Sequence, residues 1–391
     1  MRTVDRIREL LSPGLQDVHK ARLTQVFSVV AGLVRSGRAT VTAIGRAVAT
    51  TTSDKHGIKR ADRCIGNSHL HREASVFWQA LTSVVLGTNR RPWILVDWTD
   101  VGSGFAALRA AVVFQGRALC IYSQVHRTRY AGKSSVQGRF LKSLKGVLPA
   151  QCRPIIVSDC GFQGTWFAQV RNLGWDFLGR LHPQVTLRST LGGPRLKVRT
   201  LQREATNLYR DCGQFELNHR HRYIGRVISF DGRSRRARAS RAPKRRKRAE
   251  NKGAKRAHSP LVLVTSVYNI SAKSVVNIYK ARMQIEETFR DDKSPRYGWQ
   301  FELARSRCPR RLQVLLLLIA LATLAAALAG LATLASNEHG QYQANTRRSR
   351  AVLSIITLGR RVLDRLKDLS PQQIALGLHQ LRSTILTAHE L

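Results

Sequence analysis

Three carboxylates in this chain stand in contexts where carboxylates are expensive. Asp97 interrupts the apolar run "WILVDWTD", where an ionised side chain is costly unless it is paired or bound to metal. Asp159 closes the run "PIIVSD", at the carboxyl end of an expected strand, where α/β sheets build their sites. Strand alternation puts Asp97 and Asp100 on opposite faces, so only one of them can join Asp159. Glu286 belongs to "YKARMQIEETFRDDK", residues 279–293, where Glu286, Glu287, Asp291 and Asp292 sit among Tyr279, Arg282, Arg290 and Lys293. Two strand acids and one helix acid form an oxygen-rich donor set suited to Mg²⁺. Two such ions about 4 Å apart could activate a water or hydroxyl and stabilise the leaving oxygen of a phosphodiester.

The spacing of the third segment adds cations to the acid. With 100° per residue, Arg282, Glu286 and Lys293 fall about 300°, 340° and 320° round from Tyr279, one narrow stripe on a single helix. Ile278, Ile285 and Phe289 fall beside it, at about 240° to 280°, and can anchor that helix to a core. Arg282 and Lys293 would hold phosphates next to Glu286, and the Tyr279 hydroxyl could donate to a phosphate oxygen. On this segment alone, a helix with ordinary salt-bridging decoration reads the same way. The strand acids tip the balance, with Glu287, Asp291 and Asp292 left as solvated or salt-bridged.

The whole-chain charge points the same way. Across 391 residues, 66 Lys and Arg against 24 Asp and Glu leave a formal charge of +42, which a polyanion would neutralise. Nucleic acid is the expected partner, bound with a steep salt dependence. Six scattered cysteines, without a C-x-x-C pair or a secretory start, read as reduced thiols in an intracellular protein.

Along the chain, residues 1–88 read as a small helical domain, with apolar periodicity in "VDRIRELL", "LTQVFSVVAGLV", "TVTAIGRAV" and "SVFWQALTSVVL". A basic link, "KHGIKRADRC", could place Lys55, Lys59, Arg60 and Arg63 along a phosphate backbone, and reads equally well as a solvated loop. A first sheet region, 89–182, follows: a strand at "RPWILVDWTD", a hairpin of "AALRAAVVF" and "RALCIYSQV" joined by Gln115 and Gly116, then "RPIIVSD", the helix "GTWFAQVRNLG" and the strand "WDFLGRL". Residues 183–259 read as a mainly β stretch, including "QVTLRS", "LKVRT" and "HRYIGRVISF", that ends in a basic run with thirteen Lys or Arg between 233 and 256. The sheet region resumes over 260–340 and gives way to a helical region, 341–391. The uncharged run 314–335 is long enough to cross a membrane, but its mild Ala, Thr and Gly composition favours a buried core helix. The fold class expected is a mixed-sheet α/β protein.

Tyr279, Arg282, Glu286 and Lys293 match Y-x-x-R-x-x-x-E-x-x-x-x-x-x-K, which resembles the Y-R-E-K signature of the insertion-sequence-four family of cut-and-paste DDE transposases. "ILVDWTD" and "IVSDCGF" resemble that family's two aspartate blocks, and "KHGIKRADRCIGNSHLH" its N-terminal DNA-binding segment. The resemblance implies an RNase H-like catalytic domain with a mainly β insertion, for which the 127 positions from Asp159 to Glu286 leave room. It implies that Asp97, Asp159 and Glu286 bind two Mg²⁺ ions, replaceable by Mn²⁺, while Tyr279, Arg282 and Lys293 grip the phosphates of the element's ends. It further implies double-stranded DNA as partner, a homodimer in a paired-end complex, hairpin intermediates and strand transfer. The location it implies is a bacterial cytoplasm, on the nucleoid and off the membrane. Some members stack a flipped base on an insertion-domain Trp. No Trp lies between 176 and 285 here, which leaves Tyr209, Phe215, Tyr223 or Phe230 as substitutes. The alternative to an active transposase is a catalytically silent DNA-binding descendant of one.

Overall fold

The computed structural model describes residues 2–48, 53–162, 164–217, 223–232, 259–344, 351–365 and 369–389. The basic run 233–256 lies outside them. Five helices come first: α1 (Arg2–Leu11), α2 (Lys20–Ser36), α3 (Val41–Ala47), α4 (Asp54–Ile65) and α5 (Ser68–Leu86). Strands β1 (Trp93–Gly102), β2 (Phe105–Phe114) and β3 (Arg117–Arg127) lead to α6 (Ser134–Val147). Next come β4 (Ile155–Ser158), α7 (Gly164–Asn172), β5 (Asp176–Arg180), β6 (Thr186–Ser189), β7 (Leu196–Lys197), α8 (Val198–Glu204), β8 (Arg210–Leu217), β9 (Tyr223–Phe230) and β10 (Leu261–Thr265). The chain ends in α9 (Ala272–Ala281), α10 (Met283–Lys293), α11 (Pro309–Ala335), α12 (Ile355–Asp364) and α13 (Pro371–His389).

These elements divide into two compact units. The first joins Met1–Cys152 to Met283–Glu390 and holds an antiparallel meander, β1-β2-β3. Its β2–β3 turn uses Gln115 at φ 41° and Gly116 at φ 81°, the two left-handed positions that a two-residue hairpin with native twist requires. All ten residues of β2 are buried, because both faces of the meander are covered. The second unit, Arg153–Arg282, pairs β4 and β5 in parallel and continues antiparallel through β10, β9, β8, β6 and β7.

The apolar run 314–335 forms most of α11, whose residues from Val314 to Thr333 are all buried. Around it lie α2, α5, α12, α13 and β3, all of the first unit. Each fully buried Leu or Ile there contributes roughly 1.5 to 3 kcal/mol, so α11 is the main apolar anchor of the unit. Protein covers 94% of its most apolar window, as expected for a core helix.

Three expectations change. The stretch "KHGIKRADRC" is a helix, α4, rather than a link. Its buried side, Gly57, Ala61, Cys64 and Ile65, recurs at helical spacing and packs so tightly that a Cβ on Gly45 of α3 would meet the Ile58 Cα at 2.4 Å. "LKVRT" supplies only the two residues of β7 before the chain turns into α8, and α6 and β8 are elements that the periodicity of the sequence did not single out.

The closest helix contact in the first unit is α11 with α12. A Cβ on Gly359 would sit 1.7 Å from the Ala326 carbonyl oxygen, and one on Gly330 would sit 2.2 Å from that of Ile355. Gly359→Ala should therefore force the helices apart, costing about 1 to 3 kcal/mol and lowering the thermal midpoint by several degrees in a calorimetric scan.

Candidate active site

Within the first unit, Asp97 lies on β1 directly opposite Arg109 of β2, so the two side chains project from the same face of the meander. The Arg109 guanidinium donates to the Asp292 carboxylate of α10 at 2.6 Å, which identifies that face as the one α10 covers. Asp97 therefore faces the helix that carries Glu286. Asp100 points the other way, is exposed, and accepts from the Gly102 amide at 2.6 Å. Of the two aspartates in this strand, only Asp97 can work with α10.

The setting of α10 follows from its own contacts. Its buried residues are Ile285, Thr288, Phe289 and Asp292, the i, i+3, i+4, i+7 pattern of a core-facing side. Along one edge of that side, the Gln284 Oε1 accepts from the Phe114 amide at 3.1 Å and the Asp291 carboxylate accepts from the Arg117 Nε at 2.5 Å. Between them, the Thr288 hydroxyl accepts from the Ala118 amide at 2.8 Å and lies 3.1 Å from the Ala118 carbonyl. That edge is thus fixed to the β2–β3 hairpin. Glu286 and Lys293 lie on the opposite edge, about 20° apart on the helical wheel, and α10 reaches β1 as well as β2 and β3. The edge that bears Glu286 is accordingly turned toward the strand of Asp97. Glu286 also stands in the first turn of α10, where the positive end of the helix dipole favours a carboxylate.

Tyr279 and Arg282 belong to the second unit. The single stripe expected over 279–293 is not one helix: α9 ends at Ala281 and α10 begins at Met283. Arg282 keeps helical angles, φ −54° and ψ −30°, but its amide bonds to Tyr279 three residues back, a tightened turn that ends the α-type ladder. Both side chains are buried, Tyr279 6% and Arg282 7% exposed, instead of standing on an open face. Burial pushes the Tyr279 hydroxyl up to about 12; Arg282 and Arg180 pull it down, whereas Asp159 and Cys160 push the same way as burial. Tyr279, Arg282, Arg180 and Asp159 are thus electrostatic neighbours within this unit. The Tyr279 hydroxyl remains a donor across any physiological pH.

Asp159 follows β4, half-buried, with its Oδ1 accepting from the Gly161 amide at 2.8 Å. Asp97 is half-buried too, and its Oδ1 accepts from the Trp98 amide at 2.8 Å. Backbone-oriented, half-buried carboxylates are hard oxygen donors, and by that chemistry they fit Mg²⁺ or Mn²⁺. Among the described residues, no three His, Cys, Asp or Glu side chains are gathered into a metal-holding cluster.

A family model of the transposase DDE domain matches residues 88–325, more than half of the chain. The chain belongs to the DDE transposase family. No curated protein matches it. Among solved structures, this transposase is similar to the piggyBac transposase in a synaptic complex with hairpin DNA, at 10% identity and a TM-score of 0.40, over 98% of this chain and 83% of that one.

Other parts of the transposase carry charge suited to DNA. On α4, Lys55, Lys59, Arg60 and Arg63 are all exposed, opposite the buried side of the helix. In the second unit, a cavity of about 440 Å³ is lined by Cys160, Phe167, Arg180, Arg188, Arg195 and Tyr223, next to Asp159 in sequence and beside the neighbours of Tyr279. The aromatics considered as base platforms are mostly occupied. Phe215, Tyr223 and Phe230 are buried, and Tyr209 stacks on Phe230 at 4.5 Å and 6°. Sequence reasoning missed Arg180, Arg109 and Asp292. For Arg109 the signal was there, a charge inside the otherwise apolar "AALRAAVVF".

Because the α4 cations are exposed, replacing them should not unfold the protein. A Lys55→Gln, Lys59→Gln, Arg63→Gln triple variant should keep its thermal midpoint while the slope of log K against log salt for duplex DNA falls by about 2 to 3. An unchanged slope would remove α4 from the interface.

Proposed function

We propose that this chain is an active DNA transposase that moves an insertion sequence by cut-and-paste, and that its chemistry is carried by Asp97, Asp159 and Glu286. Membership of the DDE family supports the reaction class. The observation that carries the residue assignment is the pairing of faces in the first unit, with Asp97 on the side of the meander covered by α10 and Glu286 on the edge of α10 turned toward β1.

The three carboxylates would hold divalent ions, Mg²⁺ or Mn²⁺, whose Lewis acidity serves to activate the attacking oxygen and stabilise the leaving one. Lys293 shares its edge of α10 with Glu286 and would hold a phosphate of the element's end as a point charge. Arg180, half-buried, would take further phosphate oxygens, and Tyr279 and Arg282, which the structure buries, would join it only where DNA binding uncovers them. Charge of this kind is needed, since a carboxylate set alone repels DNA. The α4 face would track the phosphate backbone of the same duplex or of target DNA.

An RNase H-like catalytic domain, an N-terminal helical DNA-binding domain over 1–88, a homodimeric paired-end complex and a cytoplasmic, nucleoid-associated location complete the proposal. The sequence of steps proposed is nicking at the element end, attack of the new 3′-hydroxyl to give a hairpin, hairpin opening, and strand transfer.

Glu286→Gln should abolish Mg²⁺-dependent cleavage of element ends while leaving their binding within about twofold, since one charge-bearing contact is exchanged for a neutral isostere. Undiminished cutting by this variant would remove Glu286 from the site. Wild-type protein that binds ends but never cuts them would point instead to the silent DNA-binding descendant. For the hairpin step, a denaturing gel of cleaved ends should contain a covalently closed product that migrates at twice the strand length. A time course with only open ends excludes that route.

A further inference from the structure

The buried contacts beneath α10 are more extensive than holding a helix in place requires. Arg109 and Asp292 are almost wholly excluded from solvent, with side chains 3% and 7% exposed, and meet at 2.6 Å. Burying both charges costs several kcal/mol per ion before their attraction returns any of it, and an apolar pair of similar volume would serve stability equally well or better. Asp292 also lies in the last turn of α10, where the negative end of the helix dipole opposes a carboxylate. What the pair offers over an apolar contact is direction. A guanidinium–carboxylate bond fixes both the rotation of the helix about its axis and its height above the sheet, whereas apolar side chains tolerate sliding.

The surrounding contacts have the same directional character. Thr288, one turn before Asp292, binds both backbone groups of Ala118, and Gln284, one turn earlier again, takes the Phe114 amide. These three residues, spaced i, i+4, i+8, form a polar seam between α10 and β2–β3, and the Phe289 ring lies 5.2 Å from the Arg109 guanidinium. Rotating α10 by one residue's worth of angle would break all of these bonds together and swing Glu286 by about 100°.

We propose that Arg109 and Asp292 are positioning residues for Glu286: their buried ion pair sets the rotation of α10 on the β1–β3 meander and so holds the Glu286 carboxylate in register with Asp97. This inference rests on the assignment of Glu286 proposed above. It adds that the accuracy of the acid set depends on a salt bridge that touches neither DNA nor ion.

The decisive variant is the double replacement Arg109→Met with Asp292→Leu, which removes both charges and leaves an apolar pair in their place. It should fold with a thermal midpoint equal to or above that of the wild type and bind end DNA equally well. Its affinity for Mn²⁺, read without DNA from the free-ion signal in electron paramagnetic resonance, should fall about 10- to 100-fold, the usual cost of losing an outer partner of a metal ligand. Single-turnover cleavage should fall in parallel and recover partly at raised Mn²⁺. A double variant with wild-type midpoint, wild-type Mn²⁺ affinity and wild-type cleavage overturns the proposal. Arg109→Lys keeps the charge but replaces the planar guanidinium with a freely rotating ammonium, and serves if the double variant does not fold. An intermediate loss of Mn²⁺ affinity supports the latch, and full retention overturns it. Glu286→Gln run alongside separates the two ideas. If it cuts and binds Mn²⁺ as the wild type does, the assignment of Glu286 is wrong. If it fails while the double variant is normal, only the latch is wrong.

Discussion

A guanidinium buried in the middle of a strand must be answered, and in the first unit the answer organises everything near Glu286. Arg109 stands in β2, whose ten residues are all buried, so no water can solvate it. Burial pushes the Asp292 carboxyl up from the ordinary range, while Arg109 pulls it part of the way back and is itself held protonated. Neither charge could remain in that interior without the other; removal of one partner from such a pair typically costs about 3 to 5 kcal/mol. The pair therefore commits α10 to a single setting over the meander, and the residues on its other edge are committed with it.

The latch can act only if the rest of the unit is stiff, and α11 supplies that stiffness. The segment leaving α10 is fastened to this helix by the Trp299 indole, which donates to the Thr323 hydroxyl at 3.0 Å inside the core. The Trp299 carbonyl accepts from the Ala39 amide at 2.7 Å, and the Arg360 guanidinium lies 4.8 Å from the Trp299 ring. One tryptophan thus joins the exit of α10 to the N-terminal helices, to α11 and to α12. The glycine contacts between α11 and α12 bring those helices to backbone distance, which leaves little room for either to slide.

How much of this was legible in the sequence depends on whether the cause was local. The β1 strand, the β2–β3 hairpin with its Gln115–Gly116 turn, β4 and β5 follow from short apolar runs and turn residues that act within a few positions, and α11 from one long uncharged run. The choice of Asp97 over Asp100 required the sheet register and the helix above it, neither of which a single strand encodes. The break between α9 and α10 left no mark, because Arg282 is a good helix former whose dihedral angles remain helical and only its hydrogen bond changes. Asp292 read as solvated or salt-bridged; it is salt-bridged, but the partner lies 183 residues away and the burial of the pair left no local mark. The cost argument that singled out Asp97 applied equally to Arg109, and followed through it would have demanded a buried acid for that arginine. On α4, the basic residues obscured a buried stripe of Gly57, Ala61 and Cys64 that is too small in volume to register as apolar periodicity.

The scarcity of acids gives each of them weight. With 24 carboxylates among 66 cations, repulsion between cations has to be relieved from within wherever the fold brings basic residues into its interior. In the interior Asp292 does this for Arg109 beneath α10, and at part-exposed positions Asp291 pairs with Arg117, Glu73 with Arg22 between α5 and α2, and Asp211 with Arg226 between β8 and β9. Each of these carboxylates lies against the guanidinium it neutralises. Asp97 and Asp159 each accept from a backbone amide of their own segment. An amide orients a carboxylate without cancelling its charge, which suits the divalent-ion role proposed above. Acids paired with arginine hold the framework, and under the function proposed above Asp97 and Asp159 serve a ligand.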